Sequence, residues 1–206
     1  MTVALLAATL TLGQAPSAAD YFPLRPGMRL TFEERTTNAT VTTDVVGQPL
    51  EVAGVPTTPV TTFQDGREVN TAYYRVEADA ISIIAYDKKA PLPMPLPVLK
   101  IPAGPKTTWS FNGPGSAEKM AEPLNMKGEA EFLKTDREIF GKKVPVLQVR
   151  MIATVGGGSA REEIEQVSLY GRGIGLIEST STTKIGKRKV VNVLRLTKVE
   201  EPKEGG

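Results

Sequence analysis

The sequence predicts an all-β fold, built as a curved antiparallel sheet or open barrel of about ten strands. Apolar and polar side chains alternate along much of the chain, as at Met28, Leu30 and Phe32, and this period of two is typical of strands with one buried face. The alternating runs are rich in Thr and Val, and turn residues separate them at short intervals. A long flat sheet would leave edges prone to association, so we expect the sheet to curve toward closure.

The first element is an uncharged apolar run from Met1 to Leu12, followed by small residues and a proline. The run is too short for a membrane helix, which needs about 18 apolar residues, and no other stretch approaches that length. Ser17 and Ala19 occupy the −3 and −1 positions of a small-x-small cleavage site. We therefore expect residues 1–19 to be a secretory signal peptide cut before Asp20. The alternative of a buried strand stays open, because the run lacks a preceding Lys or Arg.

The strands and turns follow in order along the rest of the chain. The glycines at 66, 141 and 186 mark hairpin turns, and only Ser116 to Glu122 has a helical pattern. We expect residues 20–199 to form a single β domain and residues 200–206 to be a disordered tail. A faint echo between Tyr21–Phe32 and Leu99–Phe111 leaves open two related halves that meet near 88–105. The clearest predicted strands are residues 28–32, 41–45, 60–63, 72–78, 81–86 and 147–153.

Prolines alternate with apolar residues between Pro91 and Pro97. Proline has no amide hydrogen to donate to a strand ladder. This segment is therefore expected at a sheet edge or in an extended crossover, and not in a central strand.

The composition excludes several kinds of chemistry. The chain has no His and no Cys, which removes His-dependent nucleophile systems, thiolate chemistry, disulfides and the usual ligands of zinc, copper and haem. We expect no cofactor and no metal site. The 25 Lys and Arg exceed the 23 Asp and Glu by a net charge of +2, which is too small a surplus to indicate nucleic-acid binding.

Two short motifs resemble a known group of proteins. The opening Tyr21-Phe22-Pro23-Leu24, with Gly27, is similar to the Y-F-P-L-x-x-G-x-x-W-x-Y start of uncharacterised bacterial exported proteins and lipoproteins. Gly173-Ile174-Gly175-Leu176-Ile177 resembles the G-V-G-L-V element that precedes their last hairpin. The departures are Leu30 for Trp, Phe32 for Tyr and Arg172 for Pro. The resemblance implies a curved sheet similar to lipoprotein-carrier half-barrels, gives Tyr21, Pro23, Gly27, Gly173 and Gly175 structural roles, and carries no catalytic residues.

Candidate catalytic groups are few. Ser116 and Lys119 match the S-x-x-K motif of penicillin-binding enzymes, but Ser181 and Lys184 match it too, and the companion S-D-N and K-T-G motifs are missing from the sequence. The carboxylates Glu129, Glu131, Glu162, Glu163 and Glu165 could hold a hard cation or transfer protons, although a solvated outer face explains them as well. We expect no catalytic residues.

Five aromatic side chains are the candidate ligand-binding residues: Trp109, Tyr73, Tyr74, Phe63 and Tyr170. We expect an exported, periplasmic or extracellular, non-enzymatic protein that binds a lipid or other hydrophobic small molecule on its curved sheet. Core packing is the competing role for these aromatics. The alternative function is an envelope module that binds another protein through a sheet edge or the proline-rich segment. A hydrolase using Ser116 or a carboxylate pair is the third.

Overall fold

The computed structural model describes residues 15–34, 40–114, 123–156 and 161–202. Within these ranges the chain forms one short helix and fifteen strands, so the all-β prediction is confirmed. The elements are α1 (Ala18–Tyr21), β1 (Arg29–Glu34), β2 (Val41–Val46), β3 (Leu50–Val52), β4 (Val55–Gln64), β5 (Arg67–Val76), β6 (Ala80–Asp87), β7 (Ala90–Lys100), β8 (Thr107–Pro114), β9 (Pro123–Phe132), β10 (Arg137–Ile139), β11 (Lys142–Val144), β12 (Val146–Val155), β13 (Glu162–Gly171), β14 (Gly175–Ile185) and β15 (Arg188–Glu200).

Twelve of the described strands form one curved antiparallel sheet in the order β7-β6-β5-β4-β2-β1-β15-β14-β13-β12-β9-β8, and β3 pairs with β4 beside this path. β10 and β11 form a separate hairpin. The terminal strands β7 and β8 come together, since a Cβ on Gly113 would lie 2.8 Å from Cε of Met94. No ladder joins the described residues of these two strands. The sheet is therefore a nearly closed barrel with one seam.

The local predictions for turns and edges are confirmed. Gly66, Gly141 and Gly186 have φ values of 79°, 75° and 58° at hairpin turns, where glycine avoids the strain of a side chain. The prolines between Pro91 and Pro97 lie on β7, a terminal strand of the sheet. The predicted helix Ser116–Glu122 lies outside the described residues.

The barrel has one closed end and one open end. At the closed end α1 lies against the turn between β13 and β14, where the Gly173 amide donates to the Asp20 carbonyl at 2.6 Å. The hairpins at Gly66 and Gly186 lie at the opposite ends of their strands and surround the open end.

The main apolar core fills the concave side at the closed end and extends along β8, β9 and β12. Its buried members are Ala18, Tyr21, Ile81, Leu99, Trp109, Phe111, Leu124, Met126, Ala130, Leu147, Val149 and Tyr170. A second cluster of Phe32, Val146, Ile177 and Leu196 packs against Ile139 of the β10–β11 hairpin.

The structure corrects the boundary expected for the C-terminal tail. β15 runs to Glu200, because Val199 and Glu200 pair with Leu30 and Arg29 on β1. Beyond the strand, the Glu201 carboxylate lies 2.7 Å from the Arg25 guanidinium. Residues 203–206 lie outside the described ranges.

Candidate functional site

The five aromatic residues expected to bind a ligand lie on two different faces of the sheet. Trp109, Tyr74 and Tyr170 point to the concave side and pack in the main core. Phe63 alternates with the inward-facing Thr62 on β4, and Tyr73 alternates with Tyr74 on β5, so both lie on the outer face. The structure therefore brings three of the five residues together and separates two.

The three inward aromatics are packed against the chain itself. Trp109 is 8% exposed, and its indole lies over Gly128 so closely that any side chain at that position would collide with it. The ring of Phe22 lies 5.1 Å from the ring of Tyr74 and 5.9 Å from that of Tyr170. The apolar part of the concave face is consequently occupied by the protein's own side chains.

Burial also keeps these tyrosines protonated. It raises the pKa of Tyr170 to about 12 and raises the pKa of Tyr74 further, because an ionised phenolate would lose its hydration there. Neither hydroxyl is suited to act as a proton acceptor at neutral pH. The two side chains contribute to the core.

The two sequence motifs at opposite ends of the chain meet at the closed end. Besides the bond from Gly173 to Asp20, a Cβ on Gly175 would lie 3.5 Å from Cδ of Pro23. Gly173 and Gly175 have φ values of 75° and 101°, conformations that favour glycine. Gly27, with φ of 87°, donates its amide to the Val46 carbonyl at 2.8 Å. The contacts of Asp20 and Pro23 thus hold the two motifs together at the closed end.

A cavity of about 270 Å³ lies at the open end of the barrel. Seven consecutive strands of the sheet, from β5 through β1 to β13, contribute to its wall, which places the cavity on the concave side. The lining residues are Glu34, Thr42, Thr62, Gln64, Val69, Gln166, Ser179, Ser181, Asn192 and Leu194. Eight of these ten side chains are polar, so the wall can both donate and accept hydrogen bonds.

Several of the polar side chains are fixed by bonds within the sheet. The amide of Gln166 donates to the Ser168 hydroxyl at 3.0 Å, and the hydroxyls of Ser168 and Ser179 share a hydrogen bond of 3.1 Å. These three residues belong to β13 and β14, where their side chains follow each other along the concave face. The wall is therefore partly preorganised, which lowers the entropy lost on binding.

A half-buried carboxylate, that of Asp44, lies next to the cavity. The Thr62 hydroxyl donates to Oδ1 of Asp44 at 2.6 Å. Burial raises the pKa of Asp44, and the bond from Thr62 opposes that change only in part. Glu34 supplies the one carboxyl group among the described lining residues, and Asp44 lies next to the lining residue Thr62. Among the described lining residues none is Lys or Arg.

Three of the carboxylates singled out from the sequence, Glu129, Glu163 and Glu165, form ion pairs on the outer face. Arg150 lies between Glu165, at 2.7 Å, and Glu129, at 4.0 Å, and Lys106 also contacts Glu129. Glu163 pairs with Arg161. Glu131 accepts a bond from Gln148, and Glu162 pairs with Ile185 across the ladder. Over the described ranges, no group of three or more acidic residues is placed to hold a metal ion.

Of the two S-x-x-K motifs, the structure describes the one at Ser181 and Lys184 and does not place it as a nucleophile pair. Ser116 and Lys119 lie outside the described residues. Ser181 lines the concave cavity, whereas Lys184, three positions along β14, is exposed and projects to the opposite face. A strand therefore separates this serine from its lysine, where a helix would bring them together.

The polar cavity is not among the features that the sequence predicts. The lining residues Ser179 and Ser181 alternate along β14 with Thr183 as the next polar residue in the series. In the sequence, this pattern looks like the solvent-facing side of an antiparallel strand and so does not indicate a cavity. Only the curvature of the sheet places these hydroxyl groups on the concave side. None of the described helices is long and apolar enough to cross a membrane.

Comparisons with known proteins identify two solved structures with a similar fold. A candidate lipoprotein from Parabacteroides distasonis superposes with a TM-score of 0.55 at 9% sequence identity, covering 91% of this chain and 100% of its own. A candidate exported protein with a YmcC-like fold from Bacteroides fragilis gives a TM-score of 0.47 at 13% identity, covering 88% and 99%. No family model matches the chain. No curated protein matches it in sequence.

Proposed function

We propose that the protein is exported and acts without catalysis, by holding a small, uncharged, hydroxyl-rich ligand in the cavity at the open end of its barrel. The observation that carries the proposal is the division of the concave side into a filled apolar part and an open polar part. Export is supported by the apolar run from Met1 to Leu12. The candidate lipoprotein from Parabacteroides distasonis, with its similar fold, accords with such a location.

The chemistry of the lining selects the ligand class. Hydroxyl and amide groups pair with ligand hydroxyls in either direction, and the Glu34 carboxylate accepts from them. A phosphate or fatty-acid carboxylate would enter a site whose described lining has the Glu34 carboxyl group and no cationic residue, which is electrostatically unfavourable. The cavity volume of about 270 Å³ suits a ligand of roughly monosaccharide size.

A non-enzymatic role is supported by the site's chemistry. The full sequence has no His or Cys, and the outer carboxylates are paired with arginine and lysine side chains. The competing lipid ligand has less support, because the Trp109, Tyr74 and Tyr170 side chains fill the apolar region. The alternative envelope module also has less support, because the prolines of β7 remove donors from that edge.

The test is to titrate the protein with glucose, N-acetylglucosamine and glycerol while following backbone amide signals by NMR. We expect saturable shifts at Gln166, Ser181 and Asn192, and their loss in Ser181→Leu. Thr182→Leu is the matched control, since it adds the same side chain to the outer face of β14.

Two results would overturn this ligand chemistry. One is the absence of cavity shifts with all three compounds. The other is a saturable change of Trp109 fluorescence on adding palmitate or phospholipid vesicles, which would favour a hydrophobic ligand in the core region.

A further inference from the structure

We propose that proteolytic processing leaves Ser17 to Tyr21 on the mature protein, so that the cut falls N-terminal to Ser17 and not before Asp20. The inference rests on the proposed export. It gives the N-terminal segment a function of its own: α1 closes one end of the barrel whose other end takes the ligand.

The backbone of this segment is bonded into the barrel. The Ala18 amide donates to the Ala78 carbonyl, in the turn between β5 and β6, at 2.9 Å. The Phe22 amide donates to the Ala18 carbonyl, also at 2.9 Å. A cut before Asp20 would remove Ala18 and leave the half-buried Phe22 amide and the carbonyl of Ala78 without these partners.

The side chains of the segment belong to the main core. Ala18 is 0% exposed and Tyr21 is 2% exposed, and both pack in the cluster that contains Trp109 and Tyr170. The Tyr21 ring lies 5.6 Å from the ring of Phe132 on β9. Ala19, by contrast, is exposed. Removing Ala18 would open a space next to the core at the closed end.

The Asp20 carboxylate contacts one residue that precedes it in the chain and one that follows it. Its carboxylate accepts the Ser17 amide at 2.8 Å and lies 3.5 Å from the Arg172 guanidinium. The bond from the Ser17 backbone is the largest cause of the lowered pKa of Asp20. A chain starting at Asp20 would lose that bond and place a new ammonium group where the Asp20 amide now donates to the Ser17 carbonyl.

A suitable cleavage site exists upstream. Thr11 and Gly13 are small residues at the −3 and −1 positions of a cut before Gln14. A chain starting at Gln14 keeps every bond described above.

Processing is tested on the full chain in its native host with two matched variants. Ala19→Asp places a charge at the −1 position of a cut before Asp20, whereas Gly13→Asp does so for a cut before Gln14. We expect Gly13→Asp to block maturation, and Ala19→Asp to mature as wild type does, with an intact mass that begins upstream of Ser17. Blocked maturation in Ala19→Asp, or a wild-type N-terminus at Asp20, would overturn the inference.

A stability measurement tests the same inference independently of export. We expect Ala18→Asp to lower the Tm of the purified chain by about 5 °C or more, because it buries a charge, while the exposed Ala19→Asp stays near wild type. Equal Tm values for the two variants would contradict a closing role for the segment. A protein that stays in the cytoplasm with Met1 intact would instead contradict the proposed export.

Discussion

Two single residues limit what the concave face of the barrel can contain. Gly128 allows the Trp109 indole to lie directly against β9, which fills the space that an apolar ligand would need. Asp44 places a carboxyl group in the interior of the sheet with one hydroxyl donor, Thr62. The first residue closes the apolar region, and the second makes the neighbouring region polar at an energetic cost.

Replacing Asp44 by Asn should stabilise the protein at neutral pH. Burial raises the pKa of Asp44 in the folded state, so the native protein holds this proton more tightly than the unfolded chain does, and stability falls as pH rises through the folded pKa. Asn removes the charge and can still accept from Thr62. We expect Asp44→Asn to raise Tm at pH 7 by a few degrees, corresponding to about 1 kcal/mol, with the difference shrinking toward pH 4.

The measurement is thermal unfolding across that pH range. Glu33→Gln is the control, because it neutralises an exposed carboxylate on the neighbouring strand β1. A Tm gain in Asp44→Asn that is independent of pH, or no gain at pH 7, would show that the charge of Asp44 does not limit stability.

Among the elements, β7 shows how a terminal strand of the barrel avoids pairing with another molecule. It is a terminal strand of eleven residues, and its exposed positions include Pro93, Met94 and Pro95. A long edge strand with free amides would be a template for pairing with another molecule, and proline removes those amides. The proline spacing therefore protects the seam between β7 and β8.

Removing these prolines should make the protein associate. The double variant Pro93→Val and Pro95→Val restores two edge amides and adds β-branched side chains, which favour strand pairing. We expect concentration-dependent oligomers by size-exclusion chromatography with light scattering. Met94→Val is the control, because it changes the same edge without restoring an amide. A double variant as monodisperse as this control would mean that the prolines do not protect the edge.

At the scale of the whole molecule, the barrel is asymmetric in two directions. Around its circumference it has a seam, where β7 and β8 touch without a ladder between their described residues. Along its axis it has a closed end at α1 and an open end that carries the polar cavity. Ligand access is therefore expected from the open end, and opening motions from the seam.

Amide hydrogen exchange should reveal the seam. β7 and β8 have a ladder on one side, whereas β13 and β14 are bonded on both sides, so their bonds break only when the sheet opens more widely. We expect amides of β7 and β8 to exchange clearly faster than those of β13 and β14 by mass spectrometry. Equal protection in all four strands would indicate that the seam is bonded in solution.

The local features of this protein follow from its sequence alone. The alternation at Met28, Leu30 and Phe32 indicates a strand, since successive side chains of any strand point to opposite faces. Turn glycines such as Gly66, and the prolines that confine β7 to an edge, act through their own backbone geometry. Each of these properties depends on a few neighbouring residues, so no knowledge of distant contacts is needed to predict it.

Closure of the sheet determines the features that depend on residues distant in sequence. It placed Tyr74 in the core and Tyr73 outside, although both are equally plausible ligand contacts in sequence. It gathered polar side chains from seven strands into one cavity, and it brought Gly173 to the carbonyl of Asp20. The physical reason is that strand register and curvature, which are set by packing across the whole sheet, determine which side of a strand is the inside.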